Sequence, residues 1–150
     1  MEIIDVSDPT SEMFELLLDA DPNPIAVREF LAVGTLHAMM DAKNTVVLAI
    51  VTDEGDSKCE LKNLVTSPSY RRKGHASTMI QNLFRLYKSK GFREMIVGTA
   101  DTGFDTTIPL YEKNGFKRTG IIEDFFMKYP EPVYENGRLC KDMILFSKML

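Results

Sequence analysis

Three strand-like segments, residues 36–40, the apolar run 46–51 and residues 59–65, follow one another with only Lys43-Asn44 and Asp53-Glu54-Gly55-Asp56 as clear polar breaks between them. Runs of this length bounded by turn residues read as strands, and connections this short reverse the chain, because a parallel return needs a crossover of about a dozen residues or more. An antiparallel meander therefore stands at the centre of the fold, and the rest must pack around it. Residues 2–6 read as a short first strand closed by Ser7-Asp8-Pro9, which also supply capping groups for a helix over residues 11–18. Past Asp21-Pro22-Asn23-Pro24, the side chains Ile25, Val27, Phe30 and Leu31 recur at helical spacing up to Gly34, which stands where a helix takes a C′ glycine.

After Ser67-Pro68 the period is helical again. Ala76, Met79, Ile80, Leu83 and Tyr87 share one stripe, Gln81, Arg85 and Lys88 lie off it, and the helix ends near Gly91. Met95, Ile96 and Val97 mark a buried strand in residues 93–99. A short helix over residues 107–113 and two last strands, around Ile121 and Met143, complete the chain. Tyr129-Pro130-Glu131-Pro132 and Asn136-Gly137 make the connection between those two strands an irregular loop. The order βα, α, βββ, α, β, α, ββ, without repeat or linker, predicts one domain over residues 1–150. Its class is α/β (α+β), with a mixed, mainly antiparallel central sheet of about seven strands and helices on both faces.

Composition removes several classes of function. With 44% apolar and 27% charged residues in a chain of 150, the sequence is that of an ordinary globular domain. The 18 Lys plus Arg against 22 Asp plus Glu leave a net charge of −4, a poor match to nucleic acid. The longest wholly apolar run, residues 46–51, falls far short of the roughly 20 residues that span a bilayer as a helix. The acids in Met1-Glu2-Ile3-Ile4-Asp5 do not suit a secretory signal, so no membrane or targeting segment is expected. Cys59 and Cys140, each in a strand-like segment, and His37 and His75 match neither a disulfide framework nor a metal site. A reducing cytoplasm and no metal are the expectation.

The segment richest in chemistry is Pro68-Ser69-Tyr70-Arg71-Arg72-Lys73-Gly74-His75-Ala76, between an apolar strand and the longest amphipathic helix. A loop that opens a helix presents unpaired backbone N–H groups at the positive end of the helix dipole, and Gly74 with the small Ala76 lets an oxyanion approach them. Arg71, Arg72 and Lys73 add positive charge. Neither a Walker loop nor G-x-G-x-x-G is present, so a nucleoside triphosphate or a nicotinamide is not the natural ligand, and a differently shaped diphosphate is indicated.

Arg71-x-x-Gly74-x-Ala76 resembles the [R/Q]-x-x-G-x-[G/A] signature of the GNAT superfamily of acyl-CoA-dependent N-acetyltransferases. Downstream, Leu110-Tyr111-Glu112-Lys113-Asn114-Gly115-Phe116 resembles that family's L-Y-x-x-x-G-F segment. The two motifs stand in the family's order, and the element order is also similar over nearly the whole chain. The resemblance implies acetyl-CoA as co-substrate, its pyrophosphate on the backbone N–H groups of Arg72, Lys73, Gly74, His75, Ala76 and Ser77. It implies that the pantetheine arm runs beside Leu64, Val65 and Thr66, one of whose N–H groups polarises the acetyl carbonyl. Tyr111 corresponds to the tyrosine that protonates the departing thiolate. Glu60, eleven residues before Arg71, corresponds to the strand glutamate that serves as base in one branch.

The implied acceptor is a small-molecule or protein amine, and a homodimer through the terminal strands is the arrangement commonest among relatives. Asp101, Asp105, Glu123, Asp124, Glu131 and Glu135, in the later segments, point to a cationic amine over an acidic acceptor. Two positions depart from the pattern: Arg72 stands where glycine is frequent, and Phe104 where an asparagine often contacts the cofactor. Phe104 leaves open a second reading, a CoA-binding sensor that keeps the fold without transfer.

Overall fold

The computed structural model describes residues 1–150. In chain order the elements are β1 (Glu2–Val6), α1 (Ser11–Ala20), α2 (Pro24–Val33), β2 (Thr35–Asp41), β3 (Asn44–Gly55), β4 (Lys58–Thr66), α3 (His75–Ser89), β5 (Glu94–Ala100), α4 (Thr107–Lys113), β6 (Lys117–Ile122), β7 (Tyr134–Glu135), β8 (Arg138–Leu139) and β9 (Met143–Met149). Seven strands form one sheet in the order β1-β2-β3-β4-β5-β9-β6, and β7 pairs with β8 in a separate hairpin. Every neighbouring pair of the large sheet is antiparallel except β4 with β5.

The unbroken apolar run of β3 follows from burial on both faces. Val47, Ala49 and Val51 enter the core that packs against Met79, Ile80 and Leu83 of α3, and Leu48 and Ile50 enter a second core with Leu17 of α1 and Val27 of α2. The sheet is thus covered on one side by α1 and α2 and on the other by α3, with Tyr111 of α4 in the same core as α3.

β4 and β5 pair only from Lys58↔Glu94 to Leu61↔Val97. β4 then runs on to Thr66 and β5 to Ala100 without pairing each other, so the sheet splits between them. A bulge drives the divergence: β3 registers Ile50 with Asn63 and Val51 with Leu61, leaving Lys62 as the extra residue that bends β4. The bulge also shifts the faces, since Leu61 and Leu64, three apart, both pack in the core under α3.

Two expected helix ends form differently. The cap of α1 is Thr10, whose Oγ1 accepts the N–H of Met13 at 3.1 Å, and not a residue of Ser7-Asp8-Pro9. Gly34 does close α2, but with extended backbone at φ −105°. Glycine is needed there for space: a Cβ would lie 2.8 Å from the carbonyl oxygens of both Phe30 and Val51. Cys140 lies just past β8, buried and outside any strand.

On the α3 side, His37 of β2 is fully buried, its Nδ1 2.8 Å from Asp5 Oδ1 and its Nε2 2.8 Å from the Tyr87 hydroxyl. A neutral ring satisfies both, donating to Asp5 and accepting from Tyr87. Burial pushes its pKa below the usual value, against the opposing pull of Asp5. The unfolded chain, with a histidine pKa of about 6.5, then binds the proton first as pH falls. The contribution of His37 to stability is therefore present above that pH and is lost below it. Circular dichroism melts are expected to give a lower Tm at pH 5.5 than at 7.5, with a smaller drop in His37→Gln. Equal acid sensitivity in the two proteins would remove His37 from the account.

Candidate active site

The loop after β4 is tied down before it reaches α3. Ser67 donates its N–H to Val46 O at 2.8 Å and its Oγ–H to Thr45 O at 2.6 Å. Pro68–Tyr70 form one 3-10 turn, and the Tyr70 hydroxyl donates to Asp41 at 2.9 Å. Arg71 folds back, donating from Nε to Thr66 O at 2.9 Å with its guanidinium 3.8 Å from Asp19, so its side chain fastens the loop to β4 and α1. Lys73 stays exposed, its Nζ 5.9 Å from the centre of the Tyr70 ring.

Two left-handed residues then shape the main chain: Arg72 at φ +62° and Gly74 at φ +82°. The position of Arg72 accordingly has a backbone that glycine adopts without cost. In consequence none of the six backbone N–H groups from Arg72 to Ser77 has an acceptor within the chain; Thr78, donating to Gly74 O at 3.1 Å, is the first that does. These donors open a fifteen-residue helix, where the dipole adds roughly half a positive charge. They border a depression of about 310 Å³ whose other wall is Pro109, Leu110 and Lys113 of α4.

The split between β4 and β5 forms a larger cavity of about 660 Å³, lined by the end of β4, the end of β5, α4, the α1–α2 connection and the loop carrying β7 and β8. Because Ser67 N–H points to β3, strand alternation turns the main-chain groups of Val65 toward β3 and those of Leu64 and Thr66 toward the split. The bond from Arg71 to Thr66 O lies on that side, leaving the N–H of Leu64 and of Thr66 facing the cavity.

Tyr111 is 5% exposed and lines the same cavity. Its ring is held 5.5 Å from that of Phe116 and 6.2 Å from that of Phe146. Asn114 fixes the end of α4 by donating to Leu110 O at 2.8 Å and to Ser77 Oγ at 3.1 Å, while its Oδ1 accepts from Gln81 at 3.0 Å. The Tyr111 hydroxyl has no partner in the chain. Burial first, then the nearby charge of Glu135, pushes its pKa above that of an ordinary phenol, so it is a donor at neutral pH.

Glu60 is not brought to this cavity. It precedes the bulge, lies on the sheet face opposite Leu61, and its carboxylate is 3.0 Å from Lys62 Nζ. Desolvation raises its pKa, opposed by Lys62. Phe104 is also absent from the lining; it is half-exposed, with the Arg138 guanidinium 4.4 Å over its ring. Asp21, Asn63 and Tyr129 line the cavity without having been marked by any sequence motif.

A row of free N–H groups at a helix start, a strand edge released from its sheet and a cavity between them fit a pyrophosphate with an extended, amide-bearing arm. The match to known proteins decides which family this is: residues 8–116 match the model of the Acetyltransferase (GNAT) family. The chain belongs to the GNAT acetyltransferase family. Members of this family use acetyl-CoA as co-substrate. The chain is 28% identical over 134 residues to the uncharacterized N-acetyltransferase YvbK of Bacillus subtilis strain 168, covering 89% of this chain and 86% of that protein. A GNAT family acetyltransferase of Elizabethkingia anophelis, solved with acetyl-CoA bound, superposes with a TM-score of 0.92 at 27% identity, over 99% of this chain and 97% of that one. A Bacillus subtilis acetyltransferase in complex with CoA gives 0.92 at 26% identity, over 99% and 98%. This GNAT chain has no helix long and apolar enough to cross a membrane.

Proposed function

We propose that the protein transfers acetyl from acetyl-CoA to the nitrogen of a primary amine by direct attack, with both substrates bound together. The observation that carries this reading is the pairing of six unpartnered N–H groups, Arg72 to Ser77, with the unpartnered hydroxyl of Tyr111, which opens on the cavity, at either end of the split sheet. The N–H row binds the pyrophosphate, with Arg72 and Lys73 adding charge from the rim. Leu64 and Thr66 offer their free main-chain groups to the pantetheine arm as an added strand would. A free β4 N–H aimed at the acetyl oxygen stabilises the oxyanion as the amine attacks, a kind of donor worth about 3 kcal/mol in acyl transfer. Acetyl-CoA supplies the thioester itself. The ammonium first releases one proton to solvent, and the neutral amine attacks; Tyr111 then gives its proton to the departing sulfur, and the second proton lost by the nitrogen restores the phenol.

The test is thiol release from acetyl-CoA over a panel of primary amines, alongside calorimetric binding of CoA. Amine-dependent release is the expected result. Tight CoA binding with no release over the whole panel would replace the enzyme with the sensor reading, and absence of CoA binding would overturn both.

A further inference from the structure

We infer that Glu135 is the residue that anchors the acceptor: its carboxylate receives the N–H groups of a cationic amine and holds the nitrogen in front of Tyr111. This rests on the acetyl-transfer reading above and assigns the acceptor side of the same cavity. Glu135 lies in β7, half-buried, and lines the cavity together with Tyr111. Its place is set by packing rather than by loop chance. The turn Asn136-Gly137, both with positive φ, closes the β7–β8 hairpin; Cys140 donates to Val133 O at 2.8 Å, and Asp101 accepts the N–H of Lys141 at 3.1 Å, joining the hairpin to the end of β5. Thr102, itself buried, donates to Glu135 Oε2 at 3.1 Å, which leaves Oε1 without a partner in the chain.

No cation of the chain forms an ion pair with this carboxylate, Arg72 in the same lining included. Lys62 is engaged by Glu60 and Arg71 by Asp19, while Arg138, opposite Glu135 in the hairpin, turns its guanidinium onto Phe104. A second, independent feature points to a donor-rich ligand. Asn63, 4% exposed and in the same lining, gives its Nδ2 hydrogen to Leu17 O at 3.1 Å and has a buried Oδ1 with no partner. The other cavity carboxylate without a cationic partner, Asp21, already accepts from Asn23 N–H at 3.1 Å and is not the acid whose charge acts on Tyr111. An ammonium group, with its three donors, answers a free carboxylate oxygen in a way that neutral or acidic acceptors do not.

The probe is 1,4-diaminobutane, its binding to the CoA-saturated protein measured by calorimetry and its acetylation by thiol release. Glu135→Gln is expected to raise both Kd and KM for the diamine about tenfold or more, the loss of one charge-assisted hydrogen bond, with kcat changed far less. Glu135→Asp is expected to fall between, and Glu131→Gln, exposed and off the cavity, to match wild type. CoA affinity within about twofold throughout certifies a folded site. If the diamine is acetylated with the same KM by wild type and Glu135→Gln, the anchor is overturned while acetyl transfer stands. If the diamine binds and Glu135→Gln weakens it, yet neither it nor any other amine releases thiol, the transfer reading fails and the anchor stands. A wild-type protein that binds no diamine overturns the anchor.

Discussion

Tyr111→Phe is expected to lower amine-dependent thiol release about a hundredfold, the lower end of what a positioned proton donor contributes, with CoA affinity unchanged within about twofold. The separation follows from where the contacts lie. On the proposed reading, CoA is held chiefly by the N–H row at the start of α3, whereas Tyr111 meets only the sulfur end of the arm. The substitution is also clean for the fold. The ring keeps its packing on Phe116 and Phe146, and the hydroxyl that is lost has no partner in the chain, so no acceptor is orphaned. Urea unfolding should therefore give equal or slightly higher stability. Steady-state kinetics over a pH series provides a second check, because a donor whose pKa lies above the ordinary phenol range stays protonated through pH 9 and leaves no titration step there. Equal turnover in Tyr111→Phe would move the proton donor elsewhere.

The meander, the long helix after it and the loop that joins them were legible because each rests on local chemistry: a period repeated over many residues, or a glycine at a helix start. Gly34 was marked correctly for a different reason, since close approach to two carbonyl oxygens is a tertiary fact that no cap motif encodes. The placement of Glu60 shows the limit more sharply. Counting alternate residues along β4 sets Glu60 on one face with Leu64 and Thr66, but the extra residue Lys62 exchanges the faces, and a bulge depends on the partner strand. Asp21, Asn63 and Tyr129 come to the cavity from three separate segments, so only the assembled sheet brings them together. The β7–β8 hairpin did carry a signal in Asn136-Gly137, the pair that best fits a tight turn with two positive φ angles.

Phe146→Ala is expected to cost the fold about 3 to 5 kcal/mol, the range for deleting a buried phenyl ring. Phe146 is 1% exposed in β9, registered with Val97 of β5 and Arg118 of β6, and its ring tilts against Tyr111 at 6.2 Å. A domain of this size is stable by roughly 5 to 15 kcal/mol, so the variant should still fold in the cold but melt on the order of 10 °C lower. Urea titration at 10 °C gives the stability directly, and a loss below about 1 kcal/mol would mean that the site collapses around the missing ring. The functional consequence separates positioning from stability. With the phenyl gone, one of the two rings that fix Tyr111 is absent, so turnover of the folded protein should fall while CoA binding, which the proposal places at the start of α3, should not. Phe146→Leu restores much of the volume and should recover most of the stability. If turnover recovers in parallel, Phe146 supports Tyr111 by filling space; if it stays low, the orientation of the phenol depends on the aromatic contact itself.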